Sequence, residues 1–317
     1  MSSTEENKPA PVGRFAPTPS GKLHCGNAFS FLVAYLVVKQ QGGIMRMRVE
    51  DLDKARCKPE LIAALFRDLE WLGFTWEGEV IYQSKRDEVY EAAFERLIEQ
   101  DLVYPCFCSR ADLHSASAPH SGEALVYPGT CRNLSTEERK SKARLKDPSF
   151  RLRVTDEDIS FNDSFQGYYS ANVAKDIGDF IVRRSDSVFA YQLAVVCDDA
   201  DMGITSVVRG CDLLSSTINQ IYLDTLLGYS IPEFGHVPLF VDETGRRLAK
   251  RSGDVSIEYL RTETSLSPEA FWGTLAHSAG LIPENQPISL EELRKEAHLE
   301  ALYRKRTVMM PSFTSRL

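Results

Sequence analysis

Four residues near the N-terminus, His24-Cys25-Gly26-Asn27, follow the Gly/Pro-punctuated stretch GRFAPTPSGKL and open an apolar segment. A glycine-rich turn feeding a helix presents free backbone N–H groups and the positive end of the helix dipole, which suits a phosphate or nucleotide. His24 and Asn27 can both hydrogen-bond phosphate oxygens, and Gly26 lets a base or sugar approach the backbone closely. Far along the chain, Arg247-Leu248-Ala249-Lys250-Arg251 lies in the basic loop DETGRRLAKRSGD. Cations on a closing loop stabilise charge as pyrophosphate leaves a triphosphate. A third constellation, Cys106-Phe107-Cys108 and then Cys131 after 22 residues, offers three thiolates for tetrahedral zinc. Ligand chemistry alone completes such a set with a histidine, His120 or His114, because Cys₃His is common. Cys57, Cys197 and Cys211 lie in helix or strand contexts and are expected in the core. Cys25 is expected to fill packing space.

The elements that must position these residues are readable in outline. AFSFLVAYLVVKQQGG is long enough for a helix and is stopped by Gly42-Gly43. Ile44 to Val49 alternates apolar and charged residues as a strand, with Glu50, Asp51 and Asp53 at its C-terminal end facing a crevice. Pro59 to Leu72 carries Leu61, Leu65, Leu69 and Leu72 on one helical face and ends at Gly73; Arg86 to Gln100 is a further helix. Alternating strands and helices of this kind indicate an α/β fold with a mostly parallel, Rossmann-like sheet. Residues 1–12 read as a disordered leader, and residues 13–103 and 176–240 as the two parts of the catalytic domain. Residues 104–175, rich in cysteines and short polar strands, are an insertion. The α/β texture is expected to resume with DFIVRR, a helix from Asp212 to Leu227 and an apolar HVPLFV strand. Residues 241–317 hold the basic loop and a small helical C-terminal region.

A chain of 317 residues suggests about two domains. With 43% hydrophobic and 26% charged residues, it is not collagenous, coiled-coil or largely disordered. Forty-five acidic against 37 basic residues give a net charge of −8, the wrong sign for binding nucleic acid by charge alone. An RNA partner would need local basic faces, and Arg132 to Lys146 and Arg304-Lys305-Arg306 are the candidates. Phe29 to Val38, the longest mostly apolar stretch, is far short of the ~20 residues that span a bilayer. The polar N-terminus has no secretory pattern, so the expected location is cytoplasmic. Seven cysteines in such a protein read as thiols or metal ligands, not as a disulfide framework.

Taken together, the two ends of the phosphate machinery bracket an α/β domain in a familiar way. His24-Cys25-Gly26-Asn27 resembles the "HIGH" motif of class I aminoacyl-tRNA synthetases, and Arg247 to Arg251 resembles their "KMSKS" loop, with Lys250 at the second lysine. Arg247 stands where lysine is frequent and Ala249 where serine is common, so charge is kept and a hydroxyl lost. RFAPTPSG from Arg14, RVEDLD from Arg48, YQLAVV from Tyr191 and VRGCDLL from Val208 are similar to glutamyl-tRNA synthetase signatures, over residues 12 to 255. The resemblance implies a glutamate site at Arg14, Ala16, Ser20, Glu50, Tyr191 and Arg209. It implies ATP contacts at His24, Gly26, Asn27, Arg247 and Lys250, with His24, Asn27 and Lys250 in catalysis. The chemistry is coherent, since glutamate carries one ammonium for Glu50 and two carboxylates for the planar forks of Arg14 and Arg209.

The segment Tyr127-Pro128-Gly129-Thr130-Cys131-Arg132 looks like half of the zinc site of glutamyl-queuosine tRNA(Asp) synthetases, which implies a structural zinc on Cys106, Cys108, Tyr127 and Cys131. A full glutamyl-tRNA synthetase carries a large anticodon-binding portion after the basic loop, whereas 63 residues follow Asp254 here. The resemblance therefore implies activation of L-glutamate by ATP, with Mg²⁺, without tRNA, and transfer to queuosine in the anticodon loop of tRNA(Asp). The C-terminal region would contact the RNA stem, and the protein is expected to be a monomer with no membrane partner. The competing readings are a minimal glutamyl-tRNA(Glu) ligase and a non-catalytic zinc and RNA-binding relic.

Overall fold

The computed structural model describes residues 9–109, 112, 126–246 and 256–313. Strands β1 (Val12–Phe15) and β2 (Ile44–Val49) pair in parallel, Val12 opposite Ile44, and β3 (Ile81–Tyr82) extends the sheet beyond β2. The crossover between β1 and β2 is α1 (Cys25–Gln40), whose buried residues lie on every side of the helix, Leu32, Val33, Ala34 and Val38 among them. A helix apolar all round must be enclosed. Here the sheet covers one side and the C-terminal helices the other, within one hydrophobic cluster. Helices α2 (Pro59–Trp71) and α3 (Asp87–Glu99) follow, the first with proline at its opening turn.

The insertion begins in β4 (Val103–Cys106) and includes α4 (Thr136–Ala143), a charged helix with no buried residue, capped reciprocally by Ser135 and Glu138. Strand β5 (Ser149–Leu152) pairs antiparallel with β4, while β6 (Asp158–Asp163) and β7 (Gly167–Asn172) form a hairpin. The DFIVRR segment does not rejoin the parallel sheet as expected. It forms β8 (Ile181–Arg183), which pairs antiparallel with β5, so the inserted sheet extends past residue 176. A strand of three residues cannot report which sheet will accept it.

The parallel layer resumes with α5 (Tyr191–Asp201), β9 (Ser206–Gly210), α6 (Ser216–Leu227) and β10 (Glu233–Val237). The backbone N–H of Thr205 donates to the Val12 carbonyl at 2.9 Å, which sets β9 beside β1. The helix expected from Asp212 starts at Ser216, after a 3₁₀ turn at Cys211–Leu213. HVPLFV is not one strand: Pro238, which has no N–H to give a ladder, separates β10 from β11 (Leu239–Val241). Helices α7 (Ile257–Glu263), α8 (Pro268–Ala279) and α9 (Leu290–Glu296) follow, but the C-terminal region is not wholly helical. Strand β12 (Thr307–Met309) pairs in parallel with β11.

Three long-range contacts lock this region to the catalytic layer. Trp272 Nε1 donates to the Leu72 carbonyl at 3.0 Å, Arg261 meets Asp68 at 3.2 Å, and Gln40 donates to the Ala297 carbonyl at 3.1 Å. Cys25, Cys57 and Cys197 are core residues, whereas Cys211 is half-exposed and donates to the Arg306 carbonyl. No helix among the described residues is long and apolar enough to cross a membrane.

Candidate active site

The carboxyl ends of β1, β2 and β9 open onto a cavity of about 450 Å³. Crevices at this edge of a doubly wound sheet are where ligands bind. Arg14, Ala16, His24, Gly26, Asn27, Glu50, Tyr191 and Arg209 all line it, so eight residues scattered over the chain are brought together. Ser20 is not part of its wall and lies on a turn whose N–H donates to the Thr18 carbonyl. Arg247 and Lys250 lie outside the described residues. The chain on either side of them is at the cavity: Leu239 and Phe240 line it, and Ser256 forms a β-bridge with His24.

His24 and Asn27 form a reciprocal cap on α1. The imidazole Nδ1 accepts from the Asn27 N–H at 3.3 Å, and Asn27 Oδ1 accepts from the His24 N–H at 3.5 Å. With Nδ1 accepting, the ring proton belongs on Nε2, a donor suited to a phosphate oxygen. Asn27 likewise keeps its amide NH₂ as a donor. Gly26 has a further role beyond the close approach read from sequence, because a Cβ there would lie 3.1 Å from the His24 ring. The glycine leaves room for the histidine that caps its own helix.

Under the cavity lies a buried ionic network. Arg48, with no solvent exposure, donates to Asp199 at 2.6 Å and to Glu50 at 3.3 Å, and lies 3.7 Å from Asp198. Arg14 pairs with Asp199 at 3.5 Å and donates to the Val208 carbonyl at 3.2 Å. Asp198 also receives Arg86, Gln83 and the Tyr90 hydroxyl. Burial alone would push Asp199 up, but Arg48 and Arg14 outweigh it and hold its carboxyl below the usual range. Burial pushes Glu50 above the ordinary carboxylate value, with Arg48 and then Arg14 pulling it back. Thr18 Oγ1 donates to Glu50 at 3.1 Å and fixes its second oxygen. Burial and the charge of Glu50 raise Tyr191, keeping its hydroxyl protonated. Sequence reasoning missed Asp198, Asp199 and Thr18; the signal was a pair of adjacent acids inside the apolar helix α5. Asp51, expected to face the crevice, instead accepts from the backbone and hydroxyl of Ser84 at 2.8 and 2.6 Å.

A second cavity of about 630 Å³ shares Thr18, Glu50 and Tyr191 with the first and reaches Cys108, Ser109 and Lys146 of the insertion. Beside it, the sulfurs of Cys106, Cys108 and Cys131 lie within 4.8 Å of one another, Cys108 and Cys131 at 3.6 Å. The Tyr127 hydroxyl is 3.3 Å from the Cys106 sulfur and 3.6 Å from that of Cys108, and it accepts from the Cys131 N–H at 2.8 Å. Tetrahedral zinc with bonds of about 2.3 Å sets sulfurs about 3.8 Å apart, so these four donors fit the ion. His114 and His120 lie outside the described residues. Burial, then the charge of Cys106, pushes the Cys108 thiol up to about 11, and a thiolate there needs a cation beside it. Arg151 donates to the Cys106 sulfur at 3.3 Å and stacks 3.8 Å over the Tyr127 ring.

Residues 12–308 match the family model for the catalytic domain of class I tRNA synthetases of the E and Q type. A glutamate tRNA ligase from Elizabethkingia meningosepticum, solved with its amino acid, superposes with a TM-score of 0.80 at 28% identity, over 95% of this chain and 67% of that one. The fold and its cleft are therefore those of a class I synthetase. The chain is also 47% identical to the glutamyl-Q tRNA(Asp) synthetase of Symbiobacterium thermophilum, over 89% of this chain and 90% of the relative. It is 40% identical to the protein of that name from Rhodopirellula baltica, over 92% of each. The chain belongs to the class I tRNA synthetase family, in its glutamyl-Q tRNA(Asp) synthetase branch, and is an ATP-dependent enzyme of the ligase type.

Behind Asp199, on α6, Asp224 is pushed up to about 8 by burial and then by the charge of Asp199. A carboxyl whose folded value lies above its unfolded value of about 4 lets the folded state hold the proton more tightly. Stability is then lost as pH rises between the two values. Asp224→Asn removes the cost of ionisation, so its melting temperature should gain on the wild type steadily from pH 5 to pH 8. A difference that stays constant across that range contradicts the assignment.

Proposed function

We propose that this protein activates L-glutamate with ATP, without tRNA, and transfers the glutamyl group to queuosine in the anticodon loop of tRNA(Asp). The observation that carries the reading is the meeting of two cavities at Thr18, Glu50 and Tyr191, one lined by His24, Gly26 and Asn27, the other opening toward the insertion. An adenylate made from the first side is accessible to an acceptor from the second. Two buried arginines and one acid match the two carboxylates and one ammonium of glutamate. The names of the relatives support the acceptor.

In the first step the α-carboxylate attacks the α-phosphorus in line, the bond to the bridging oxygen breaks and pyrophosphate leaves. Glu50 holds the ammonium, Arg14 and Arg209 the carboxylates, and Tyr191 and Ala16 complete the amino-acid site, with Ser20 set back from the cavity wall on the turn after Thr18. His24 Nε2–H, the Asn27 amide, Arg247 and Lys250 stabilise charge on the phosphates, so that positioning and electrostatics carry the step. In the second step a hydroxyl of the queuosine cyclopentene attacks the mixed anhydride, and AMP departs. No strong base is required, because the adenylate is already activated. A target in a single-stranded loop suits recognition by splaying and stacking.

Cys106, Cys108, Tyr127 and Cys131 would hold zinc, which supplies a structural cross-link for the insertion and no chemistry in either step. Arg151 would offset the net negative charge of three thiolates and a phenolate. The purified protein should contain a single zinc per chain by mass spectrometry of the metal, and Cys131→Ser should lose it; full retention in that variant contradicts the ligand set. The function itself is tested by supplying labelled glutamate and ATP with a queuosine-bearing tRNA(Asp) anticodon stem-loop, alongside intact tRNA(Glu). Label on the stem-loop is expected. Label on tRNA(Glu) alone would make the protein a minimal glutamyl-tRNA ligase.

A further inference from the structure

Arg209 is the cavity arginine with the most elaborate support. It lies on β9, is 6% exposed, and donates through Nε to His236 Nε2 at 3.0 Å and through Nη2 to Thr217 Oγ1 at 2.8 Å. Its Nη1 is buried and makes no well-formed hydrogen bond among the described residues, with the Tyr191 hydroxyl close by as the other polar group facing this guanidinium. That leaves an unspent donor on a residue of the cavity wall. His236 is directly opposite Arg209 in the β9–β10 register and has no solvent exposure. Its Nδ1 meets Asp163 Oδ2 at 2.5 Å. Asp163, at the end of β6 in the hairpin, also accepts at Oδ1 from the backbone N–H groups of Phe165, Gln166 and His236 at 3.0, 2.8 and 3.0 Å.

We infer that Asp163 and His236 are a positioning pair for Arg209, fixing which way its guanidinium points and so the grip of the site on a substrate carboxylate. A carboxylate beside Nδ1 assigns the ring proton to that nitrogen, leaving the Nε2 lone pair to receive the Arg209 N–H. Two of the guanidinium's edges are then committed, and the third is presented to ligand. The alternative tautomer would set N–H against N–H. Burial lowers the His236 pKa, and the nearby cations Arg209 and Arg14 oppose its protonation further, while Asp163 pulls the other way. The support reaches the site from the hairpin: the Phe165 ring packs over Gly235, where a Cβ would be 3.0 Å from it. Substrate grip thus depends on the docking of β6–β7 against β10, a contact remote from every sequence motif.

The inference rests on the reading that Arg209 receives a carboxylate of glutamate. Asp163→Asn is the discriminating variant. Its Oδ1 can still accept the three backbone N–H groups, but its NH₂ faces Nδ1 and drives the ring proton to Nε2, against Arg209. In tRNA-free exchange of pyrophosphate into ATP, KM for glutamate should rise about tenfold or more. The KM for ATP and the melting temperature should stay near wild type, and kcat should fall much less than the glutamate KM rises. An unchanged glutamate KM in folded Asp163→Asn overturns the inference, as does an equal rise in both KM values. Nitrogen-15 NMR of histidine-labelled wild type is the second measurement and does not depend on the variant folding. A protonated Nδ1 with a bare Nε2 at His236 is expected, and a protonated Nε2 overturns the pair. Wild type that exchanges pyrophosphate with no dependence on glutamate would refute the glutamate reading, while the tautomer measurement would still judge the pair.

Discussion

The site depends on a guanidinium that water never reaches. Arg48, on β2, is enclosed against α5, and its charge is balanced by Glu50, Asp198 and Asp199, although its Nε makes no hydrogen bond among the described residues. Removing one partner from a buried ion pair costs about 3–5 kcal/mol, because the other charge is left in a poor solvent. The acids and the arginine therefore hold one another, and with them the strand that carries Glu50 and the helix that begins at Tyr191. Arg14 enters the same network through Asp199, so three walls of the cavity share one electrostatic anchor.

This anchor explains how charge is distributed above it. Asp199 is spent on Arg48 and Arg14 and stays ionised, whereas Glu50 is only partly compensated and retains the capacity to meet a cation. Arg209 stands apart, supported by neutral partners, His236 and Thr217, which take two of its donors without cancelling its charge. The end proposed to hold phosphate is built differently, from a capping box in which His24 and Asn27 orient each other at the start of an enclosed helix. Buried charges at the end proposed for the amino acid and oriented donors at the end proposed for the nucleotide suit the division of labour that adenylation requires.

Much of this was legible in the sequence. The helix after Asn27, the strand ending at Val49 and the helix from Pro59 announce themselves by periodicity and by glycine and proline punctuation; His24, Gly26 and Asn27 stand out by type and spacing, whereas Ala16, Tyr191 and Arg209 were named only through the family resemblance. What escaped was non-local. β8 has no pattern that distinguishes a parallel from an antiparallel neighbour, and β12 is a strand of three residues, only Val308 buried, whose partner β11 is far away in the chain. Asp198, Asp199, Asp163 and His236 carry no motif, since their meaning arises only when α5, β6 and β10 are folded beside β2 and β9. Asp51 read as a crevice acid because its position after β2 is right, yet the adjacent turn at Ser84 claims it.

The central claim is that the buried charges select an amino acid with one ammonium and two carboxylates. The most direct measurement is tRNA-free exchange of labelled pyrophosphate into ATP, compared for glutamate, glutamine and aspartate. The account predicts exchange with glutamate, and at least about a hundredfold less efficiency with glutamine, whose uncharged amide leaves a buried arginine without its carboxylate. Comparable exchange with glutamine, or none with glutamate, would contradict it.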